Sequence, residues 1–302
     1  MSKRIKVLYI SGWGRSGSTI LGNLLGQIDG VHHIGEFRVW DAALLEGRHC
    51  GCGSLFADCP FWSRVLEAAL GHVDAAAADR YRRQRLLHTR FRHVPTMLRP
   101  GGADQLRAKL ADYLEVLEKL YAEIARVGEI EVIVDSSKFA TYGWLLSLIG
   151  SIDLRILHLV RDPRAVAYSW TRKKVHGDIG RLMRRHSPGS SALLWSVWNA
   201  SSELLFRERS LRVKYEDFIQ RPLPVLREIL QFIDEAERAT DFVRDHEATL
   251  TVPNHTVLGN PNRFAVGTVQ LREDREWSSA MGLGSRALVG GITSPLRLRY
   301  GY

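Results

Sequence analysis

The chain has 302 residues, of which 45% are hydrophobic and 25% charged, a composition typical of a soluble globular protein and not of a disordered or fibrous one. It has no apolar run of about 18 residues, which argues against a transmembrane helix. Because the N-terminal residues show no signal-peptide pattern, we expect a cytoplasmic protein. Lys and Arg number 42 against 33 Asp and Glu, a net charge of +9 that favours anionic ligands without choosing among nucleotides, nucleic acids, glycans and membrane surfaces.

Predicted strands and helices alternate along the chain. Residues 5–11 read as a buried strand, which is followed by a glycine-rich turn and then by a helix with apolar residues from Ile20 onward. Residues 31–62 look like a loop, and residues 63–127 look helical. Further strands are predicted over 131–134, 155–160 and 211–215, and further helices from about 164, over 191–208 and from about 222.

Apolar strands that alternate with helices form a parallel sheet covered on both faces. We therefore predict an α/β, P-loop-like fold in a single domain over residues 1–302, with a helical insertion at about 63–127. Ligands of such sheets bind at the carboxyl ends of the strands. The loops at 12–19, 135–138 and 161–169 all follow predicted strands, so we expect them to share one site.

The glycine-rich turn after the first strand has the pattern of a phosphate-binding loop. Its glycines let the backbone approach an anion, and the first amides and the dipole of the following helix favour negative charge. A loop that binds nucleoside triphosphates reads G-x-x-x-x-G-K-[ST]. Here Ser18 stands at the lysine position, and the cation lies three residues earlier, at Arg15. The sequence therefore predicts an anion site that differs from the usual ATP loop.

Two motifs together resemble those of sulfotransferases that use 3′-phosphoadenosine 5′-phosphosulfate (PAPS). The stretch 15–19 is similar to the family's 5′-phosphosulfate loop, and 161–169 to its 3′-phosphate motif. Residues 215–218 and the late segment 255–267 resemble two further family elements, the second of which closes over the nucleotide. The resemblance implies that the co-substrate is bound by Gly14, Arg15, Ser16, Gly17, Ser18, Thr19, Arg161, Ser169 and Arg263.

The same resemblance suggests catalytic residues. Gly35-Glu36-Phe37-Arg38 is similar to the stretch that carries the catalytic glutamate of protein-tyrosine sulfotransferases, which implies Glu36 as the general base. Lys138 resembles a family lysine that reaches the transferred sulfate, and Arg15 suits the charge on the leaving group. A loop ion pair between Glu36 and Arg38 is the alternative, and His32 and His33 are rival bases.

We therefore expect a PAPS-dependent sulfotransferase that acts on a hydroxyl of a glycan, lipid, natural product or phenol, without a metal. A P-loop kinase or nucleotidase using ATP and a non-catalytic basic binding protein are the alternatives, and no nucleic-acid partner is expected because no reader motif accompanies the charge. The arginine-rich segments 80–99 and 172–186 are either solvated helix faces or a wall for an anionic or bulky acceptor.

The three cysteines of the chain fall within ten residues. Cys50, Cys52 and Cys59, even with His49 as a fourth ligand, do not have a standard zinc spacing. An odd number of cysteines also argues against a disulfide framework. We expect a compact turn with free thiols that holds no catalytic metal and well under one zinc per chain.

Overall fold

The computed structural model describes residues 4–207 and 209–302. The strands β1 to β8 are Ile5–Ser11, Val31–Gly35, Val132–Lys138, Ile152–Val160, Ser210–Lys214, Val243–Arg244, Glu247–Leu250 and Gly267–Gln270. The helices α1 to α14 are Ser18–Leu25, Trp40–Leu45, Pro60–Leu70, Ala75–His88, Val94–Leu98, Gly102–Lys109, Ala111–Val127, Ala140–Leu146, Pro163–Thr171, Pro188–Phe206, Tyr215–Gln220, Pro222–Phe232, Trp277–Ala280 and Leu283–Arg299. Short 3-10 turns occur at Phe37–Val39, Phe91–His93 and Pro261–Phe264.

Five of the strands form one parallel sheet in the order β2-β3-β1-β4-β5. β1 lies at the centre and is hydrogen-bonded to β3 on one side and to β4 on the other. Its residues alternate between the two faces, as the period of two in a strand requires. Val7 and Tyr9 join one apolar core, while Leu8 and Ile10 join the other.

Helices cover both faces of this sheet. On the face of Leu8, the apolar sides of α1 and α12 pack on the strands through residues such as Leu24 and Ile229. On the face of Val7, α3 and α7 contribute a larger core that includes the buried side chains of Trp62 and Tyr121. The chain thus has the α/β fold with a parallel sheet that the alternation of elements predicted. No helix in the described part of the chain is both long and apolar enough to span a membrane.

The helices α3 to α7 lie between β2 and β3, where the sequence predicted a helical insertion. A buried ion pair links this region to the helix before it: Arg85 on α4 donates two hydrogen bonds to Asp41 on α2, at 2.9 and 2.7 Å. Both side chains are almost fully excluded from solvent. The Asp41–Arg85 pair shows that one arginine of the segment 80–99 is structural and is not part of a solvated face.

Two expectations about elements were wrong, and one small sheet was not predicted. Residues 31–62 are not one loop, because they contain the edge strand β2, a 3-10 turn and α2. β2 (Val-His-His-Ile-Gly) is short and includes two histidines and a glycine, so its pairing with β3 more than its composition makes it a strand. β3 extends to Lys138, beyond the predicted end at 134, and a small antiparallel sheet of β6, β7 and β8 follows α12.

The other boundaries agree within a few residues. The helix predicted over 191–208 is α10, Pro188–Phe206, and residue 208 itself lies outside the described residues.

Candidate active site

A cavity of about 480 Å³ opens at the carboxyl end of the parallel sheet. Each of the five strands delivers residues to it, from the strand itself or from the loop that follows. Neighbouring strands lie about 4.8 Å apart, so the strand order sets the layout of the cavity. Along the sheet edge the contributing residues are Glu36 after β2, Lys138 on β3, residues 14–19 after β1, Arg161 after β4 and Tyr215 after β5.

The cavity lining is strongly cationic. It holds seven Lys or Arg residues and two carboxylates among its described residues. The cations are Arg15, Arg48, Lys138, Arg161, Lys174, Arg184 and Arg272, and the carboxylates are Glu36 and Asp274. Burial, together with the nearby charges of Arg15 and Arg172, lowers the pKa of Lys174 to about 8. Cations that disfavour one another's charge in this way are stabilised when an anion enters the cavity.

The loop between β1 and α1 forms the central part of the lining. Gly17 has φ +88°, and a Cβ atom there would lie 2.4 Å from an aromatic carbon of Tyr215, so only glycine fits. α1 begins directly after it, at Ser18. The first helical hydrogen bond runs from the Leu21 amide to the Gly17 carbonyl, at 3.1 Å. The amides of residues 18–20 precede that bond and are available to an anion.

Arg15, within this loop, and Arg161, after β4, each lie against an aromatic ring. The Arg15 guanidinium carbon is 4.7 Å from the ring centroid of Trp170, and that of Arg161 is 4.3 Å from the centroid of Tyr215. Arg161 also donates a hydrogen bond to the Arg15 carbonyl, at 3.1 Å. The Nε atom of each arginine is buried and has no hydrogen-bond partner among the described residues.

Glu36 and Lys138 form an ion pair at the β2–β3 end of the cavity. Lys138 Nζ donates hydrogen bonds to Glu36 Oε1, at 2.7 Å, and to the Ser136 carbonyl, at 2.9 Å. Burial raises the pKa of Glu36, but Lys138, Arg38 and Arg15 lower it more strongly, and the net pKa lies below the usual value. Glu36 is therefore an ionised carboxylate at neutral pH, about one-third exposed and facing the cavity.

Arg38, the alternative ion-pair partner of Glu36, packs on an aromatic ring instead. The Arg38 guanidinium lies over the Phe139 ring, 3.8 Å from its centroid, and the described residues show no Glu36–Arg38 ion pair.

Lys138 has φ +69°, a left-handed backbone conformation that is unfavourable for a residue with a side chain. Backbone strain of this kind is concentrated at functional sites.

Neither rival histidine lines the cavity. His33 is buried, with ring nitrogens 3.2 Å from Asn23 Oδ1 and 3.0 Å from Ser136 Oγ. Burial lowers the pKa of His33 to about 3. His32 stacks on the ring of His255 and accepts a hydrogen bond from the His255 amide, at 3.2 Å. Both histidines thus have structural contacts that hold them away from the cavity.

Most residues that the sequence suggested as co-substrate ligands line this one cavity: Gly14, Arg15, Gly17, Ser18, Thr19, Arg161 and Ser169. Ser16 and Arg263 do not. Ser16 Oγ donates a hydrogen bond to the Trp13 carbonyl, at 2.8 Å, and so stabilises the loop. The Arg263 guanidinium is buried against Asp178, at 2.9 Å, and the same carboxylate accepts a hydrogen bond from Arg48 at 2.8 Å.

Other lining residues were expected only as members of larger segments or not at all. Trp170 follows Ser169 directly, and Leu258, Gly259 and Asn260 belong to the late segment that resembled a closing loop. Lys174, His176, Met183 and Arg184 come from the basic segment 172–186, which therefore forms part of the cavity wall. The positive charge of the segment 172–186 was the only feature of the sequence that indicated its place in the cavity wall.

Comparison with solved structures finds proteins of similar fold. The sulfotransferase domain from the curacin biosynthetic pathway is 15% identical, each chain covers 98% of the other, and the TM-score is 0.53, a likeness of fold. The sulfotransferase domain of the Synechococcus PCC 7002 olefin synthase is 19% identical over 97% of this chain and 96% of that one, with a TM-score of 0.49. No curated protein sequence matches the chain.

A family model described as the sulfotransferase family matches residues 8–238, which include the loop after β1, Glu36, Lys138 and the segment 161–169. Since that match covers well over half of the chain, the protein belongs to the sulfotransferase family.

Proposed function

We propose that this protein transfers a sulfuryl group from PAPS to a hydroxyl acceptor. The observation that carries the proposal is the order of side chains along the sheet edge: Glu36 and Lys138, then the loop after β1, then Arg161. Three strand-to-strand steps separate β2 from β4, a span of about 14 Å. An extended nucleotide can therefore contact Arg161 with its 3′-phosphate while its sulfate lies near Lys138.

The chemistry follows from that layout. Sulfuryl transfer breaks the bond between sulfur and the bridging oxygen of the phosphosulfate and forms a bond to the acceptor oxygen. Negative charge develops on the leaving phosphate oxygen, where Arg15 and the amides at the start of α1 stabilise it. The acceptor hydroxyl loses its proton to Glu36, which is ionised and within 2.7 Å of Lys138. Lys138 is positioned to turn from Glu36 to the sulfate oxygens, which would leave the carboxylate free to take the proton.

The phosphate loop favours PAPS over ATP. The cation of the loop is Arg15, stacked on Trp170, and Ser18 stands where an ATP loop has lysine.

The test compares nucleotides for their ability to stabilise the fold. Adenosine 3′,5′-bisphosphate should raise the melting temperature far more than Mg-ATP does, because a ligand that binds only the folded state at 100 times its Kd adds about 2.7 kcal/mol. Equal shifts with both nucleotides would contradict the proposal, as would no shift with the bisphosphate.

A matched pair of variants then locates the 3′-phosphate. Arg161→Ala should weaken bisphosphate binding by roughly 1.5–3 kcal/mol, the usual size for a charged hydrogen bond, or about 10- to 150-fold in Kd. Arg164→Ala is the control, since Arg164 pairs with Asp162 and lies outside the cavity lining. Calorimetry that finds equal affinities in the two variants would remove Arg161 from the site.

The acceptor requires a direct screen. Transfer of label from radiolabelled PAPS to pools of glycans, lipids, phenols and natural-product alcohols would identify its class. Bisphosphate binding without transfer to any pool would instead favour a non-catalytic anion-binding protein.

A further inference from the structure

A second group of reactive side chains lies outside the cavity lining. Cys50, Cys52 and Cys59 come from the segment after α2, and His255 comes from the late segment, 205 positions beyond Cys50. One potential ligand atom from each residue, three Sγ and the Nδ1 of His255, lies within 4.8 Å of all the others. Cys50 and Cys59 are fully buried, while Cys52 and His255 are partly buried.

Three of the six distances between the ligand atoms match those around a tetrahedral metal ion. With zinc–sulfur bonds of about 2.3 Å and zinc–nitrogen bonds of about 2.0–2.1 Å, tetrahedral geometry puts two sulfurs about 3.8 Å apart, and a sulfur and a nitrogen about 3.6 Å apart. The Cys52 and Cys59 sulfurs are 3.7 Å apart. His255 Nδ1 is 3.6 Å from the Cys50 sulfur and 3.3 Å from the Cys59 sulfur.

The backbone around the cluster holds the two segments together. The Gly51 amide donates a hydrogen bond to the Thr256 carbonyl, at 3.0 Å. A Cβ atom at Gly51 would lie 2.3 Å from the Asn254 carbonyl oxygen, so only glycine allows the segments to approach this closely. Trp62 Nε1 donates to the His255 carbonyl, at 3.0 Å, and the His255 ring stacks on Phe61. The ligand set is therefore assembled by contacts that do not depend on the thiols themselves.

We propose that Cys50, Cys52, Cys59 and His255 bind one structural Zn²⁺ ion. Three thiolates and one imidazole form a standard ligand set for structural zinc, and four protein ligands leave no open position for substrate. This proposal replaces the expectation of free thiols. That expectation was based on the Cys spacing and on the odd number of cysteines. It considered His49 as the fourth ligand, and His49 is not part of the cluster.

Zinc at this position would link two walls of the active-site cavity. The cysteine segment adjoins Arg48, and the histidine segment continues into Leu258 and Gly259, all three of which line the cavity. Between them, the Glu36 amide donates a hydrogen bond to the Val257 carbonyl, at 2.7 Å. The ion would therefore fix the late segment against the strand end that carries Glu36, without taking part in transfer.

The test is metal analysis of the full-length protein, purified without chelators or an affinity tag that binds metal. We expect one zinc per chain, and cobalt exchanged into the site should give the visible absorption of a tetrahedral thiolate complex. His255→Asn should weaken zinc retention against a competing chelator by roughly tenfold or more, since even residues that only contact a ligand cost 10- to 100-fold. The control His49→Asn should retain zinc like the wild type.

Wild-type measurements keep the proposal open to refutation even if cysteine variants fail to fold. Removal of zinc by a strong chelator should lower the melting temperature, and added zinc should restore it. Well under one zinc per chain, in protein that also fails to take up zinc or cobalt when supplied, would overturn the proposal. A protein mass lower than that of the reduced chain by two hydrogen atoms, and restored by a reductant, would assign the site to a disulfide instead.

Discussion

Glu36→Gln separates the proton acceptor from the rest of the site. The glutamine keeps the size of the side chain and an oxygen that can accept a hydrogen bond from Lys138, as Glu36 does at 2.7 Å. It cannot take a proton at neutral pH. Loss of a general base lowers turnover by roughly 10²- to 10⁴-fold, which corresponds to about 2.7–5.4 kcal/mol of transition-state free energy. Bisphosphate affinity should hardly change, since three strand steps, or about 14 Å, separate β2 from β4.

The assay is single-turnover transfer at saturating PAPS, which separates chemistry from product release. His32→Asn is the control, because His32 contacts His255 and does not line the cavity. If Glu36→Gln keeps more than about a third of the wild-type rate and His33→Asn is inactive, the base is a histidine. A general base contributes too much for that outcome to be reconciled with Glu36.

The pH profile gives a second readout of the same assignment. Lys138, Arg38 and Arg15 together outweigh burial and hold the pKa of Glu36 below its usual value of 4.5. The base must be deprotonated, so kcat/KM, which reports the free enzyme with Lys138 still paired to Glu36, should fall only as the pH drops below 4.5. A histidine with an ordinary pKa would instead reduce the rate near pH 6.5. An acid limb in that range would contradict the role of Glu36. His33, whose burial lowers its pKa to about 3, would not produce such a limb, and the Glu36→Gln and His33→Asn variants distinguish that residue from Glu36.

Two further predictions concern the fold around the site. Gly17→Ala should lower both stability and bisphosphate affinity, because the added Cβ would clash with the Tyr215 ring. The control Gly101→Ala, at φ +72° with no atom near the added Cβ, should cost only about 1–2 kcal/mol of stability from the left-handed backbone. Equal losses of unfolding free energy in urea would show that the clash with Tyr215 is unimportant. Asp41→Asn should destabilise the fold by about 3–5 kcal/mol, because it leaves Arg85 buried without its charge partner. The control Asp79→Asn removes the exposed Asp79–Arg83 ion pair and should cost less than about 1 kcal/mol. Similar unfolding free energies for the two variants would show that the buried pair is unimportant.

The sequence alone was enough to predict the fold class and which loops meet at the cavity. β1 is a run of apolar residues directly followed by a glycine-rich turn and a helix, and such a local pattern depends on no distant contact. The carboxyl ends of parallel strands meet at one edge, so the loops after β1 and β4 were expected to meet there too. The cavity lined by Arg15 and Arg161 agrees with that expectation.

Tertiary structure decided what depends on pairing across the chain. β2 is a strand because β3 supplies its hydrogen bonds, and that pairing places Glu36 beside Lys138, 102 positions away. Arg263 was expected at the nucleotide, but a buried carboxylate, Asp178, holds it outside the cavity lining. The cysteine spacing argued against zinc, and the fourth potential ligand, His255, was missed because it is distant in sequence and adjacent only in the fold. Local patterns specify the strands and the phosphate loop, whereas partners far apart in the chain meet only when the sheet and its loops have packed.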